Sequence, residues 1–204
     1  RPGRLSTGPR LARLYQECAA RCGARHAIGV SSGTAALHLS LLAAGVRDGD
    51  IVITTPFSFI ASANVILYER ARPVFVDIDP DTLCIPADAV AAAVTGRTRA
   101  LLPVHIFGYP ADVPALEAHG LPIVEDACEA LGAVHADGVG VGARGHSAVF
   151  AFYANKQMTT GEGGMIVTSD DDMARTMDSL RNQGRDDAGT WMNHVRLGYN
   201  YRLD

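Results

Sequence analysis

The sequence predicts an α/β protein, a mostly parallel sheet flanked by helices. Three observations carry that expectation. Apolar runs of strand length alternate with segments of helical periodicity, the pattern that lays parallel strands under covering helices. Of the 204 residues 48% are hydrophobic, enough to bury a sheet on both faces. The residues able to do chemistry follow the ends of strand-like runs, where open α/β sheets collect their ligands.

The elements follow in chain order. In "LARLYQECAARCG" the residues Leu11, Leu14, Tyr15, Cys18 and Cys22 recur at the spacing of one helical face. "HAIGV" is a strand ending at Val30, and a helix starts at about Gly33. "DIVITT" is followed by a helix through "ASANVILYE", and "RPVFVDI" by "ADAVAAAV". The series continues with the strand "RALLPVHI", the segment "PADVPALEAHG" and the strand "LPIVEDA". "SAVFAFY" and "GGMIVTS" then precede the helix "DDDMARTMDSLRN". No internal repeat or low-complexity linker interrupts it, so residues 1–204 are treated as continuous.

Charge and composition narrow the function. The formal charge is -4, there is no long basic run, and no apolar run approaches the roughly 18 residues of a membrane span, so neither nucleic acid nor membrane is expected as a partner. The opening "RPGRLSTGPRLARLYQ" lacks the apolar centre of a secretory signal, and a cytoplasmic protein is expected. Cys18 and Cys22 lie four apart on a helical face while Cys84 and Cys128 stand in unrelated contexts. The four thus read as small buried thiols rather than zinc ligands.

Lys156 is the single lysine; every other strongly basic residue is arginine. An arginine-biased composition retains a lysine somewhere by chance, but a lysine in a partly desolvated site also supplies an amine nucleophile, which a guanidinium cannot. Three further places bear on that choice. In "VSSGTAALHL" a strand runs through a small polar turn into a helix, where first-turn amides, the helix dipole and the Ser32 and Thr34 hydroxyls suit a phosphate; an ordinary N-cap has the same signature. In "LPIVEDACEALGA" a strand delivers Glu125 and Asp126, and Asp126 reads as a salt-bridge partner, a metal ligand or the acid opposite a pyridine nitrogen. In "TTPFSFIASAN", Phe57 and Phe59 are either core aromatics or a ring that stacks on a planar cofactor.

The stretches "SSGTAALHL", "VFVDIDPDT", "PVHIFGYPAD", "EDACEALGA", "NKQMTTGEGGM" and "LRNQGR" resemble the DegT/DnrJ family of pyridoxal phosphate sugar aminotransferases over essentially the whole chain. The resemblance implies the large domain of a fold type I transferase, a fragment whose small carboxyl-terminal domain lies outside these residues. It implies that Lys156 carries pyridoxal 5'-phosphate as a Schiff base and that Asp126 partners the pyridine nitrogen. It also assigns Thr34 and Ala35 to the phosphate turn, in which the Ser32 hydroxyl joins them, and Phe59 to the stacking ring. Asn200, in "GYNYRLD", resembles a segment that reaches a neighbouring active site in a homodimer, and Tyr199, Tyr201 and Arg202 beside it are types enriched at interfaces.

Two positions depart from the family pattern. Ala151 stands five residues before the lysine, where Ser often helps to hold the phosphate. Glu129 stands where many members carry Gln or His near the cofactor's phenolic oxygen. An ionised Glu129 would repel a phenolate, so it is expected either to hold a proton or to turn toward substrate. Glu at this position is similar to the branch that makes 4-amino sugars. His replaces the lysine in a related dehydrating branch, so Lys156 favours transamination. The expected reaction moves an amino group from glutamate to C4 of a nucleotide-linked 4-keto-6-deoxy sugar. Amination at C3, a keto-cyclitol acceptor, a catalytically silent cofactor-binding regulator and an unrelated phosphate-ligand protein stay open beside it.

Overall fold

The computed structural model describes residues 8–185 and 192–203. Its strands are β1 (His26–Val30), β2 (Ile51–Thr54), β3 (Arg72–Phe75), β4 (Thr98–Leu101), β5 (Val124–Asp126), β6 (Ser147–Ala151) and β7 (Gly164–Thr168). The helices are α1 (Pro9–Cys22), α2 (Gly33–Ala43), α3 (Ala61–Tyr68), α4 (Ala87–Ala93), α5 (Val113–Glu117) and α6 (Asp171–Arg181).

Two ladders, β3-β2-β4 and β5-β6-β7-β1, are joined by parallel bridges from Leu101 to Ile123 and from Val104 to Asp126. The spatial order is therefore β3-β2-β4-β5-β6-β7-β1. Only β7 runs against its neighbours among these strands, so the mostly parallel sheet is as expected. The reversal comes between Ala151 and Gly164, which face each other across the ladder, and the connection between them carries Lys156. The strands β1, β2, β4, β5 and β6 consequently end at one edge of the sheet.

Alternation along the strands sorts the core. Val149 and Ile166 face one side with Leu37, Leu39 and Leu41 of α2, whereas Ala148, Phe150, Met165 and Val167 face the other with Cys18 and Cys22 of α1. A third cluster places Val90 of α4 and Val113 and Leu116 of α5 under Ile51, Ile53 and Leu101. The helix α2 is apolar all round, as "GTAALHLSLLA" requires of a helix enclosed on every side, and residues 35 to 41 are all buried. Its one basic side chain, His38, is placed by Glu69 at 2.7 Å. Cys18, Cys22 and Cys84 are buried, as the sequence predicts, and Cys128 is partly so. No helix of the described residues is long and apolar enough to cross a membrane.

Candidate active site

A cavity of about 600 Å³ opens at the edge where the parallel strands end. Its lining includes Ser32 to Thr34 after β1, Pro56 to Phe59 after β2, Val104 to Phe107 beyond β4, Asp126 at the end of β5 with Cys128 and Glu129 after it, Tyr153, Asn155 and Lys156 after β6, and Glu162 and Gly163 before β7. Residues distant in sequence converge because the strands share a direction.

The turn after β1 is a capped helix start. Ser32 is extended (φ -166°, ψ 164°), and its Oγ accepts the Ala35 amide at 3.0 Å. The hydroxyl proton of Ser32 is left for an outside acceptor. The Gly33 and Thr34 amides, the first two of α2, have no intrahelical acceptor by geometry. The ordinary cap leaves room for a phosphate as well: the Ala35 amide closes the cap, while Ser32, Gly33 and Thr34 keep donors that an anion could take. Two glycines bring the walls together. A Cβ on Gly33 would lie 2.8 Å from Cβ of Ala151, and one on Gly164 would lie 2.7 Å from the Ser32 backbone. The "GEGG" sequence therefore seats the end of the Lys156 loop against the turn after β1, and Ala151 lies under Gly33.

Asp126 forms the floor and is almost fully buried. Its Oδ2 accepts from Ser62 Oγ at 2.7 Å and its Oδ1 from the Cys128 amide at 3.2 Å. Cys128 Sγ also lies at this wall; burial first, and then the Asp126 carboxylate, push its thiol well above the usual range. Glu125 points to the opposite face with no exposed surface, its Oε2 2.8 Å from His105 Nε2. His105 Nδ1 accepts the Ala111 amide at 2.9 Å, so Nε2 carries the proton and donates to Glu125. Burial raises the Glu125 pKa, opposed by its His105 partner.

Lys156 Nζ donates to Glu129 Oε1 at 3.2 Å, and Glu129 Oε2 accepts the Phe107 amide at 3.3 Å. The carboxylate of Glu129 thus turns to the lysine and to the rim. Phe107 occupies the left-handed region (φ 51°, ψ 22°), a conformation that costs a phenylalanine about 1–3 kcal/mol and persists where surrounding bonds fix it. Phe57 meets Phe107 edge to face at 6.1 Å between ring centroids. Phe59 also lines the cavity and is 76% exposed.

The sequence-predicted residues Ser32, Thr34, Phe59, Asp126, Glu129 and Lys156 all line this one cavity. Ala35 contributes through its backbone. Asn200 does not line the cavity; it is exposed and bridges Asn182 within the chain. Its neighbours also make contacts within the chain. Tyr199 and Tyr201 stack at 5.0 Å and meet His38 edge to face, and Arg202 donates to Asn182. Sequence reasoning missed Ser58, Ser62, His105 and Phe107. Ser58 and Ser62, four apart in "SFIASAN", gave a spacing signal; the turn at Phe107 gave none.

This donor set fits pyridoxal phosphate. A helix N-terminus with two amides and hydroxyls would suit a phosphate, the acid on the floor a ring nitrogen and the one amine an aldehyde, and glycine keeps the cradle clear where a Cβ would collide.

The DegT/DnrJ/EryC1/StrS aminotransferase family matches residues 1–204. The chain is 44% identical over 202 residues to GDP-perosamine synthase of Caulobacter vibrioides, covering 97% of this chain and 54% of that protein. It is 42% identical over 198 residues to UDP-N-acetyl-3-dehydro-alpha-D-glucosamine 3-aminotransferase of Acidithiobacillus ferrooxidans, covering 94% and 52%. The crystal structure of S. venezuelae DesV superposes with a TM-score of 0.92 at 41% identity, covering 97% and 54%. The chain spans about half the length of these relatives. Aminotransferases of the family depend on pyridoxal phosphate. The chain belongs to the DegT/DnrJ/EryC1/StrS aminotransferase family.

Proposed function

We propose that this chain is the large, cofactor-binding domain of a pyridoxal phosphate aminotransferase acting on a nucleotide-linked keto-sugar. The observation that carries the reading is the chain's single lysine, held in one cavity with a floor aspartate and a helix N-terminal turn.

Lys156, Asp126, Phe59, Ser32 and the Gly33 and Thr34 amides would hold the cofactor. When bound, pyridoxal phosphate supplies an electron sink for the carbon that gains or loses nitrogen. The chain's residues do the rest. Lys156 Nζ takes a proton from the amino donor's carbon and later delivers one to the sugar carbon, as general base and then acid. Asp126, its two oxygens already fixed by Ser62 and the Cys128 amide, presents a rigid negative group to the ring nitrogen. Glu129 orients Nζ before the amine is engaged. The partial burial of Lys156 and the aromatic rim limit water at the reacting carbon.

Glutamate is the proposed donor, C4 of a 4-keto-6-deoxy sugar the proposed acceptor position, and a cytoplasmic homodimer with Asn200 reaching the neighbouring site the proposed working state. Glu129 supports C4: its carboxylate is bound to Lys156 and the Phe107 amide, an arrangement a neutral Gln or His would not reproduce. The test offers full-length enzyme and glutamate 3-keto and 4-keto nucleotide sugars in parallel and reads the amino position by NMR. Amination at C4 is expected; product from the 3-keto sugar alone removes the C4 assignment, and no product from either removes the sugar class. Active monomers in sedimentation would contradict the dimer.

A further inference from the structure

Asp126 is held by more than the floor it sits in. Ser62, 1% exposed in the first turn of α3, gives its hydroxyl proton to Asp126 Oδ2 at 2.7 Å. A serine has one such proton. Ser62 Oγ also lies 2.8 Å from Ser58 Oγ, so in that second bond Ser62 must accept and Ser58 must donate. The direction is fixed: Ser58 to Ser62 to Asp126. Ser58 lines the cavity between Phe57 and Phe59, so the chain of bonds runs from the aromatic rim to the acid on the floor. The Ser62 amide returns to the Phe59 carbonyl at 3.2 Å, closing the rim segment onto the same helix turn.

We propose that Ser58 and Ser62 are positioning residues that set the rotation of the Asp126 carboxylate and lock the Phe59 segment to it. The inference rests on the reading of Asp126 as the partner of the pyridine nitrogen. The two bonds to Asp126 differ in kind. The Cys128 amide is fixed by the backbone and holds Oδ1, but one anchor leaves the carboxylate free to turn about its Cβ–Cγ bond. The Ser62 bond removes that freedom, and in a buried setting each hydroxyl polarises the next. Ser58 acts only through Ser62, so its removal should act in the same direction and more weakly.

The experiment uses the full-length protein with pyridoxal phosphate carrying ¹⁵N in its ring, and reads the ring ¹⁵N shift together with cofactor affinity by equilibrium dialysis. Ser62→Ala should move the ring signal and weaken cofactor binding by about tenfold or more, the scale of one hydrogen bond to a charged group. Ser58→Ala, at the cavity wall where folding is not at risk, should give a smaller change of the same sign. In an Asp126→Asn background, Ser62→Ala should add nothing. A ring signal and affinity unmoved by both serine variants but moved by Asp126→Asn would overturn the proposal while leaving the reading of Asp126 intact. If Asp126→Asn itself moves neither, that reading falls and the proposal with it. Should Ser62→Ala fail to fold, Ser58→Ala decides: a wild-type signal and affinity overturn the proposal.

Discussion

The floor and the rim of the cavity are built by different means. On the floor, Asp126, Gly33 and Ala151 are enclosed, and side-chain contacts at Gly33 and backbone contacts at Gly164 leave no room for a methyl group. At the rim, Phe59 and Phe107 expose 76% and 72% of their surface, and Phe107 keeps a backbone conformation foreign to its type. The floor is rigid because close packing and buried hydrogen bonds over-determine it. The rim owes its order to single bonds, such as Glu129 to the Phe107 amide, and offers rings that a bound cofactor or the proposed second subunit would cover.

The contrast is broken most severely at Asp126. Asp126→Asn should lower turnover by about a hundredfold or more, because a neutral amide does not support the ring nitrogen as a carboxylate does. Glu125→Gln should cost far less. Glu125 is the neighbouring residue on the opposite face, and an amide oxygen can still accept from His105. Equal, small losses in steady-state assays of the two variants would make Asp126 a structural residue. Gly164→Ala comes next: its methyl would meet the Ser32 backbone at 2.7 Å, so thermal unfolding should show a loss of about 1–3 kcal/mol. Cofactor affinity should fall with it. The rim responds least. Phe59→Ala should weaken cofactor binding by about 0.5–1.5 kcal/mol, the worth of one aromatic stacking contact, with the unfolding temperature unchanged. A larger fall in stability than in binding would place Phe59 in the core.

The same contrast explains what was legible in the sequence. Strand-length apolar runs announced the sheet, and "EDACEALGA" and "NKQMTTGEGG" announced the floor, because close packing and a chemical role leave few residue types possible. The antiparallel course of β7 was not legible, since a buried strand reads as the same apolar run in either direction. The rim was harder still. No local pattern foretells that Phe107 turns left-handed, that Glu129 pairs with Lys156, or that Tyr199 and Tyr201 pack on His38, since each depends on a partner distant in sequence. Ser62 lies between: its four-residue spacing from Ser58 is visible, but its carboxylate partner 64 positions away is not.

Lys156, the one lysine of residues 1–204, can be tested directly as the amine that holds the cofactor. Full-length protein is incubated with pyridoxal phosphate, reduced with borohydride, digested and mapped by mass spectrometry. The reduced pyridoxyl group is expected on the peptide containing Lys156, and is expected to be lost in Lys156→Arg with the fold retained. A label confined to other peptides, or none at all, would contradict that role.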